Sequence, residues 1–473
     1  MKEVSVARPL KLTRESPHLA LSNWRSKYNL LPSVPRPPRD SIHSQLLIWP
    51  TLCLTNNMSD TLQPKRTVAE LKDLRALTGD TNGAQRVAFT ETWAVARAWL
   101  EAKLATMPVE VHTDAAGNLW ATLKGKSDQA IIMGGHIDSV PNGGWLDGCL
   151  NTMAALESLR RIIDQYGTEP PVTIRLVDWA DEEGARFGKS LFGSSACSGT
   201  LDMEEARVLV DRDGIKLTDA IKKYGIDFER VKDSGQELEN AAAYLELHIE
   251  QGPVLLDKDL PLGTVLGTFG VERHKITFHG QAAHSGSTPM DRRKDAFLAA
   301  ALMSPEIYEI TDRNGGVCTI GSCVTKPGIV TSVVEDCTIT LDQRHLDAPA
   351  LAQMLAEAKE ASERFAEKAK VTVHWERLWQ IDPVLFHDDL IALCDEAILE
   401  TCGVTHRLPS GPLHDAAEPG RIGIPTIMMF VQSLNGISHN KIEDTKEAHI
   451  EMSVTALDKL AEKTIHWIAA KGS

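Results

Sequence analysis

The strongest constraint on the fold of this chain is a glycine-rich loop between an apolar strand and an amphipathic helix. The run "QAIIMGG" at 129–135 is apolar and ends in glycines, which predicts a buried strand that leaves its sheet here. The loop continues as "GGHIDSVPNGGWLDG", which contains His136, Asp138 and Asp147. Residues 149–163 then carry apolar side chains at helical spacing. A strand, a loop and a helix in this order indicate an α/β fold with an imidazole and two carboxylates beside one strand end.

The spacing of His136 and Asp138 suggests a chemical role for this loop. In an extended chain alternate side chains lie on one face, so Asp138 can orient the His136 ring. A single H-x-D sequence is more often an incidental polar loop, and by itself it leaves both interpretations open.

Three further strand ends carry carboxylates or imidazoles. "TIRLVDWADEEGARFG" ends in Glu182 and Glu183, "AYLELHIEQGPVL" contains His248, and "IPTIMMFVQSLNGISHNKIEDT" places His439 after an apolar run. Adjacent acids at a strand end point in different directions, so one can bind a cation while the other faces a water molecule. Each stretch alone is more typical of surface acids or of a structural histidine.

Together these strand ends supply five candidate metal ligands: His136, Asp147, Glu183, His248 and His439. Mixed nitrogen and oxygen donors suit Zn²⁺ or Mn²⁺ and do not suit a thiolate site. Five ligands exceed what one tetrahedral metal with an open position requires, whereas two metals bridged by one carboxylate would use all five. We expect Asp147 to be that bridge.

Length and charge restrict the class of protein. A chain of 473 residues predicts two domains. The net charge of -15 disfavours a nucleic-acid-binding surface and suits small molecules or metal cations. No apolar run approaches the roughly 20 residues that cross a bilayer. The eight cysteines form no CxxC pair, which indicates a reducing compartment, and we expect a cytoplasmic protein without a membrane or nucleic-acid partner.

The first 57 residues differ in composition from the rest. Eight Lys or Arg against three acids, together with "LLPSVPRPPRD", predict a poorly ordered extension. Three alternatives remain open: a dispensable segment with Met58 as the true start, an organelle-targeting presequence, or a functional segment. From residue 66 onward short strands alternate with helices, which favours an α/β sheet.

Seven stretches of the chain occur in a recognisable order: "GGHIDSVPNGGWLDG", "DEEGARF", "LHIEQGP", "AAHSGSTPMDRRKDA", "LDQRH", "HDA" and "GISHN". In this order they resemble the stretches of the di-zinc aminoacylase and exopeptidase superfamily. Within it the chain is similar to amidohydrolases that cleave ureido groups: N-carbamoyl-L-amino acid hydrolases, yeast-type β-alanine synthases and allantoate amidohydrolases. The resemblance covers about residues 66–470.

The resemblance implies a catalytic centre with two divalent metal ions per chain. Zn²⁺ is expected first, and Mn²⁺, Co²⁺ or Ni²⁺ are alternatives. The five ligands named above would hold the ions, with Asp147 as the bridge. Glu182 would be the catalytic base, and Asp138 would orient His136.

The resemblance also implies a domain organisation. Residues 58–269 and 386–473 would form a di-metal catalytic α/β domain. Residues 270–385 would form an inserted α+β domain that acts as a lid and carries the contact of a homodimer.

Four residues are implied as substrate contacts. Gln251 would border the substrate, and His284 of the lid would stabilise the oxyanion as a further catalytic residue. Arg344 would bind a substrate carboxylate through its planar fork, although it could instead only pair with Asp342. Thr331, in "PGIVTSVV", stands where relatives often carry asparagine, so this contact to substrate or oxyanion differs here.

The implied activity is metal-dependent hydrolysis of the ureido C–N bond of a small substrate. The substrate would be an N-carbamoyl L-α-amino acid or carbamoyl-β-alanine, and the products the amino acid, carbon dioxide and ammonia. Alternatives are allantoate or another ureide, and an aminoacylase or dipeptidase activity. A catalytically inactive binding protein is a further alternative, against which the intact Glu182 and the five ligands argue.

Overall fold

Two β-sheets organise residues 62–471, the part of the chain that this computed structural model describes. The predictions for residues 1–57 lie outside the described residues. The strands are β1 (Gly79–Asp80), β2 (Gly83–Ala84), β3 (Glu110–Thr113), β4 (Leu119–Leu123), β5 (Ala130–His136), β6 (Thr173–Trp179), β7 (Ala241–Ile249), β8 (Leu262–Thr268), β9 (Gly270–His279), β10 (Ala283–His284), β11 (Val317–Lys326), β12 (Ser332–Val333), β13 (Asp336–His345), β14 (Thr372–Ile381), β15 (Val384–Leu385), β16 (Arg407–Ser410) and β17 (Thr426–Val431).

Helices cover these sheets, and the longer ones pack through apolar faces. The α-helices are α1 (Pro64–Thr78), α2 (Glu91–Leu104), α3 (Cys149–Tyr166), α4 (Phe192–Cys197), α5 (Met203–Arg207), α6 (Leu217–Lys222), α7 (Val254–Asp257), α8 (Ala296–Asn314), α9 (Ala348–Ala369), α10 (Asp388–Cys402), α11 (Ala417–Arg421) and α12 (Glu447–Lys471). Short 3₁₀ segments span Phe228–Leu238, Met290–Arg292 and Leu434–Gly436. Within 62–471, no helix has the length and apolar character that crossing a membrane requires.

The larger sheet has the order β15-β8-β17-β7-β5-β6-β4-β3, with β16 paired to β8. Its four central strands β17, β7, β5 and β6 run parallel to one another. Strands β5 and β17 are buried along their whole length, as expected for parallel strands that are covered by helices on both faces. The predicted α/β class is therefore confirmed, and the predicted strand, loop and helix at 129–163 appear as β5, a loop and α3.

The smaller sheet is antiparallel, with the order β11-β13-β9-β14. Helices α8 and α9 contribute the apolar side chains that pack against it, so this sheet has a hydrophobic core of its own. It lies in the chain between β8 and β15, both of which belong to the larger sheet. The predicted two-domain organisation is confirmed. The chain returns to the larger sheet at Val384, two residues before the boundary that we predicted at 386.

Candidate metal and catalytic site

The predicted ligands lie at the carboxyl ends of the four parallel strands. His136 ends β5, Glu183 follows β6, His248 is the residue before the last of β7, and His439 lies in the loop after β17. Asp147 comes from the loop between β5 and α3. Because parallel strands end at the same edge of a sheet, ligands more than a hundred residues apart in sequence come together there.

Asp147 stands at the centre of the ligand cluster. Its Oδ1 lies 3.0 Å from His248 Nε2 and 3.7 Å from His136 Nε2. Its Oδ2 lies 3.5 Å from His439 Nε2, which in turn lies 3.2 Å from Glu183 Oε2. The ligand atoms thus form two groups, one with His136, Asp147 and His248 and one with Asp147, Glu183 and His439, each with all its atoms within 4.8 Å of one another. Only a carboxylate shared in this way has the position that a bridging ligand requires.

The cluster concentrates acidic groups away from water. Burial raises the pKa of Glu182 and Glu183 well above the usual range of glutamate, and neighbouring carboxylates raise it further. Burial alone would also raise the pKa of Asp147, but the charges of His248, His136 and His439 outweigh burial and lower it. Buried carboxylates at this density are stable when positive charge compensates them.

The side chains present fit a divalent metal ion. His136 Nε2 is buried and has no hydrogen-bond partner among the described residues, although Asp147 Oδ1 and Glu182 Oε2 each lie 3.7 Å away. A cation between them would satisfy this nitrogen, and imidazole nitrogen with carboxylate oxygen is a donor set that Zn²⁺ and Mn²⁺ accept. The chain is thus equipped to use a divalent metal.

Asp138 contacts a residue of each ligand group, His136 of the first and Glu183 of the second. Its Oδ1 lies 3.5 Å from His136 Nδ1, as the alternation in the sequence predicts. Its carboxylate also accepts hydrogen bonds from the backbone N–H groups of Glu182 at 3.2 Å and Glu183 at 3.3 Å. One side chain therefore orients both a ligand on β5 and the acidic pair after β6. Glu182 belongs to neither ligand group and lies beside both.

Gln251, which we predicted to border the substrate, lies beside the ligand cluster. Its backbone has a φ of 57°, and its Nε2 donates to Asp147 Oδ2 at 2.8 Å and to Ser438 Oγ at 3.1 Å. Glu443, which the sequence did not single out, accepts hydrogen bonds from the N–H groups of Leu146 and Asp147. Burial, and then the Asp147 carboxylate, raises the pKa of Glu443 to about 7.

Two further buried residues at the site had no predicted role. The His414 ring lies 4.2 Å from the ring of His248, and Glu246, His248 and His414 form a third group of candidate ligand atoms. Asp415 accepts a hydrogen bond from Ser194 Oγ at 2.6 Å. The sequence signal for them is the "HDA" stretch, which contains both residues and belongs to the resemblance.

The structure does not bring the predicted lid residues to the cluster. His284 is exposed, its Nδ1 accepts the Gly286 N–H, and no contact in the described part of the chain joins it to a ligand. Thr331 is exposed and its carbonyl accepts the Ser285 N–H. Arg344 pairs with Asp342 at 2.8 Å, as the alternative interpretation of this residue requires.

Arg344 nevertheless reaches the other domain. Its Nη1 donates to the carbonyl of Gly411 at 2.9 Å, just before the "HDA" stretch. Arg344, Asp342 and Gly411 line a cavity of about 390 Å³ together with one end of β11. The guanidinium therefore lies at an opening between the two domains.

Comparison with known proteins places the chain in a family. Residues 132–463 match the model of peptidase family M20/M25/M40. An N-carbamoyl-L-amino acid amidohydrolase of Geobacillus stearothermophilus is 35% identical over 371 residues, which cover 78% of this chain and 90% of the relative. An allantoate amidohydrolase of Escherichia coli strain K12 is 30% identical over 380 residues, or 79% and 91% of the two chains.

A solved structure of similar fold is an amidase of the hydantoinase/carbamoylase family from Burkholderia multivorans. It superposes with a TM-score of 0.77 at 28% identity, and the match covers 85% of this chain and 98% of that one. The family match spans all five candidate ligands and Glu182. The chain belongs to peptidase family M20/M25/M40 and is a hydrolytic enzyme that acts on amide bonds.

Proposed function

We propose that this enzyme hydrolyses the ureido C–N bond of N-carbamoyl amino acids, with an L-α-amino acid or β-alanine as one product and carbon dioxide and ammonia as the others. The observation that carries the proposal is the pair of ligand groups that share Asp147, with the unshared carboxylate of Glu182 beside them. The relative from Geobacillus stearothermophilus, which is named for N-carbamoyl-L-amino acids, supports this substrate class.

We infer that the two ligand groups hold two divalent ions. His136, Asp147 and His248 would hold one ion, and Asp147, Glu183 and His439 the other, with Zn²⁺ expected and Mn²⁺, Co²⁺ or Ni²⁺ as alternatives. When bound, such ions acidify water and polarise the substrate carbonyl.

Glu182 is the proposed catalytic base. A ureido carbonyl is a poor electrophile because two nitrogen atoms donate into it, so its hydrolysis needs an activated water molecule. Glu182 is free of both ligand groups and can take a proton from water and pass it to the departing amine. Asp138 holds the Glu182 backbone and the His136 ring in one arrangement, which limits the reorganisation this transfer needs.

The inserted domain is the proposed lid. Closure would bring His284 to the developing oxyanion and would complete a site that Gln251 and Thr331 border. His284 is exposed and, in the described part of the chain, makes no contact with a candidate ligand, which supports a movement of this kind. Arg344 is the proposed receptor for the substrate carboxylate, since its guanidinium lines the opening between the domains.

We also propose a homodimer formed through residues 270–385 and a cytoplasmic location. The smaller sheet ends in the edge strand β14, on which Leu378 and Trp379 are exposed, and this edge supports a contact with a second copy. Sedimentation of the full chain tests the dimer, and a single species of monomeric mass would contradict it. Cell fractionation tests the location.

A substrate screen tests the activity. Ammonia release is measured with carbamoyl-β-alanine, several carbamoyl-L-amino acids and allantoate, each with Zn²⁺, Mn²⁺, Co²⁺ or Ni²⁺. Matched N-acyl amino acids and dipeptides are followed by the free amino acid they release. We expect fastest turnover of a carbamoyl amino acid. Preference for allantoate would favour the second candidate, which the Escherichia coli relative supports. Turnover of acyl or peptide substrates alone would contradict a ureido enzyme.

A further inference from the structure

Glu443 is a buried carboxylate that contacts two of the three loops that supply the second ligand group, which consists of Asp147, Glu183 and His439. It is 2% exposed, and its Oε1 accepts hydrogen bonds from the N–H groups of Leu146 and Asp147 at 3.1 Å each. Its Oε2 lies 2.8 Å from the Oγ of Ser438, the residue before His439. Asp147 and His439 are two of the three proposed ligands of this group, so Glu443 ties together the segments that supply them.

Gly144 leaves the space that the Glu443 carboxylate occupies. A Cβ atom on Gly144 would lie 2.0 Å from Glu443 Oε1 and 2.1 Å from its carboxyl carbon. No real Cβ approaches other atoms so closely, so only glycine at 144 admits Glu443 against the 144–147 loop. This steric fit between Gly144 and Glu443 is an observation separate from the hydrogen bonds. It indicates that the shape of the 144–147 loop accommodates the Glu443 side chain.

Ser438 offers one proton to two carboxylates. Its Oγ lies 2.8 Å from Glu443 Oε2 and 2.9 Å from Asp147 Oδ2, and a serine hydroxyl has a single hydrogen to donate. Gln251 Nε2 donates to Ser438 Oγ at 3.1 Å, so it gives Ser438 no second proton to donate. It also donates to Asp147 Oδ2 at 2.8 Å, which leaves that oxygen one further lone pair. Asp147 Oδ2 is the oxygen on the side of His439. A proton directed to that oxygen would occupy a lone pair that a cation of the second group needs.

We propose that Glu443 is a positioning residue that accepts the Ser438 proton and thereby leaves Asp147 Oδ2 available to the second divalent ion. The inference rests on the proposed ligand set and concerns how that set is held. A glutamine at 443 has the same size, but its oxygen must face the two backbone N–H groups and its NH₂ group can only donate to Ser438 Oγ. The hydroxyl would then turn to Asp147 Oδ2.

Metal titration of the full chain after removal of metal by a chelator tests this proposal without measuring turnover. Calorimetry with Zn²⁺ should give two ions for the unsubstituted protein. Glu443→Gln should retain the first ion and bind the second roughly 10- to 100-fold more weakly, the usual effect of losing a partner behind a metal ligand. Ser438→Ala should bind both ions nearly as the unsubstituted protein does.

The double variant Glu443→Gln/Ser438→Ala gives the decisive comparison. It should recover most of the affinity lost in Glu443→Gln, because no hydroxyl proton remains to occupy Asp147 Oδ2, whereas a general structural defect would be additive. Glu157→Gln is the matched control, since Glu157 is equally buried and paired with Arg66 in the contact between α1 and α3. It should bind two ions normally.

Each outcome separates this inference from the proposed ligand set. Fewer than two ions on the unsubstituted protein would overturn both. Two ions on that protein and an equally tight second ion on Glu443→Gln would overturn the inference alone. A double variant as weak as Glu443→Gln would overturn the role of the hydroxyl. If Glu443→Gln does not fold, Glu443→Asp, whose carboxylate is too short to reach Ser438, should show the same selective loss of the second ion, and unchanged binding would refute the proposal.

Discussion

Replacing Arg344 with alanine tests whether the lid recognises a substrate carboxylate. The guanidinium has five N–H donors, and three are used: Nε to Asp342 Oδ1, Nη2 to Asp342 Oδ2 and Nη1 to the carbonyl of Gly411. Two N–H groups therefore remain without a partner among the described residues, one on Nη1 and one on Nη2. These two donors are enough for one carboxylate, and they lie at a cavity between the two domains.

The structure sets the size of the expected effect. Losing a buried, hydrogen-bonded charge pair at a binding site costs about 2 to 5 kcal/mol. Because the Arg344 side chain is 29% exposed, solvent screens part of this energy. We therefore expect the lower end, about 2 to 3 kcal/mol, which corresponds to a loss of roughly 30- to 150-fold in kcat/KM.

The assay compares a carbamoyl amino acid with its uncharged carboxamide analogue. Arg344→Ala should lower kcat/KM for the acid and leave the already low value for the amide unchanged, and Arg344→Lys should restore little because a point charge cannot replace the fork. The matched control is Arg273→Ala, because Arg273 binds the same Asp342 at 2.7 Å but does not line the cavity. It should change kcat/KM by about threefold or less. Equal losses for acid and amide in Arg344→Ala would mean that Arg344 is structural.

Three further predictions concern the metal site and the stability of the catalytic domain. Glu182→Gln should retain two metal ions per chain and lose about 10²- to 10⁴-fold in kcat, whereas Asp147→Asn should lose metal, and elemental analysis with the opposite pattern would contradict the assignment. Arg97→Ala leaves the fully buried Asp178 without the cation that lies 2.7 Å from it, so urea denaturation should show a loss of about 3 to 5 kcal/mol in unfolding free energy, and a loss below about 1 kcal/mol would refute this reasoning. Burial alone would raise the pKa of Glu70, but its hydrogen bonds and ion pairs with Arg160 and Lys103 outweigh burial and lower it. These ion pairs therefore stabilise the fold fully at pH values above the unfolded-state pKa of about 4.3. The stability difference between Glu70→Gln and the unsubstituted protein should therefore be present at pH 7 and disappear as the pH falls through the lowered pKa, and a pH-independent difference would contradict it.

The local pattern of the sequence determined the elements that carry the chemistry. The apolar run before His136 and the helical spacing after Asp147 predicted β5, the loop and α3, because periodicity reports which faces of a segment are buried. The same reasoning placed Glu183, His248 and His439 at strand ends. The alternation of two residues also predicted the contact of Asp138 with His136.

Contacts between distant segments were decided only by the tertiary structure. The hydrogen bond from Asp147 N–H to Glu443 spans 296 residues, and the Ser194 bond to Asp415 spans 221. No periodicity within a segment encodes which strand lies beside which, so neither contact could be read from the chain. The order β17-β7-β5-β6 brings the ends of these parallel strands to one edge, so the loops after β5 and β17 meet there and Asp147 lies beside Glu443.

The placement of His284 and Arg344 also depended on the tertiary structure. Their motifs indicated the same site, yet His284 is exposed and Arg344 is held by Asp342 and Gly411. A motif records which residue types are present, whereas the distance between two domains depends on how the inserted sheet packs beside the larger one. The sequence therefore determined the candidate ligands and the strands that present them, and the packing of those strands and domains determined which side chains meet.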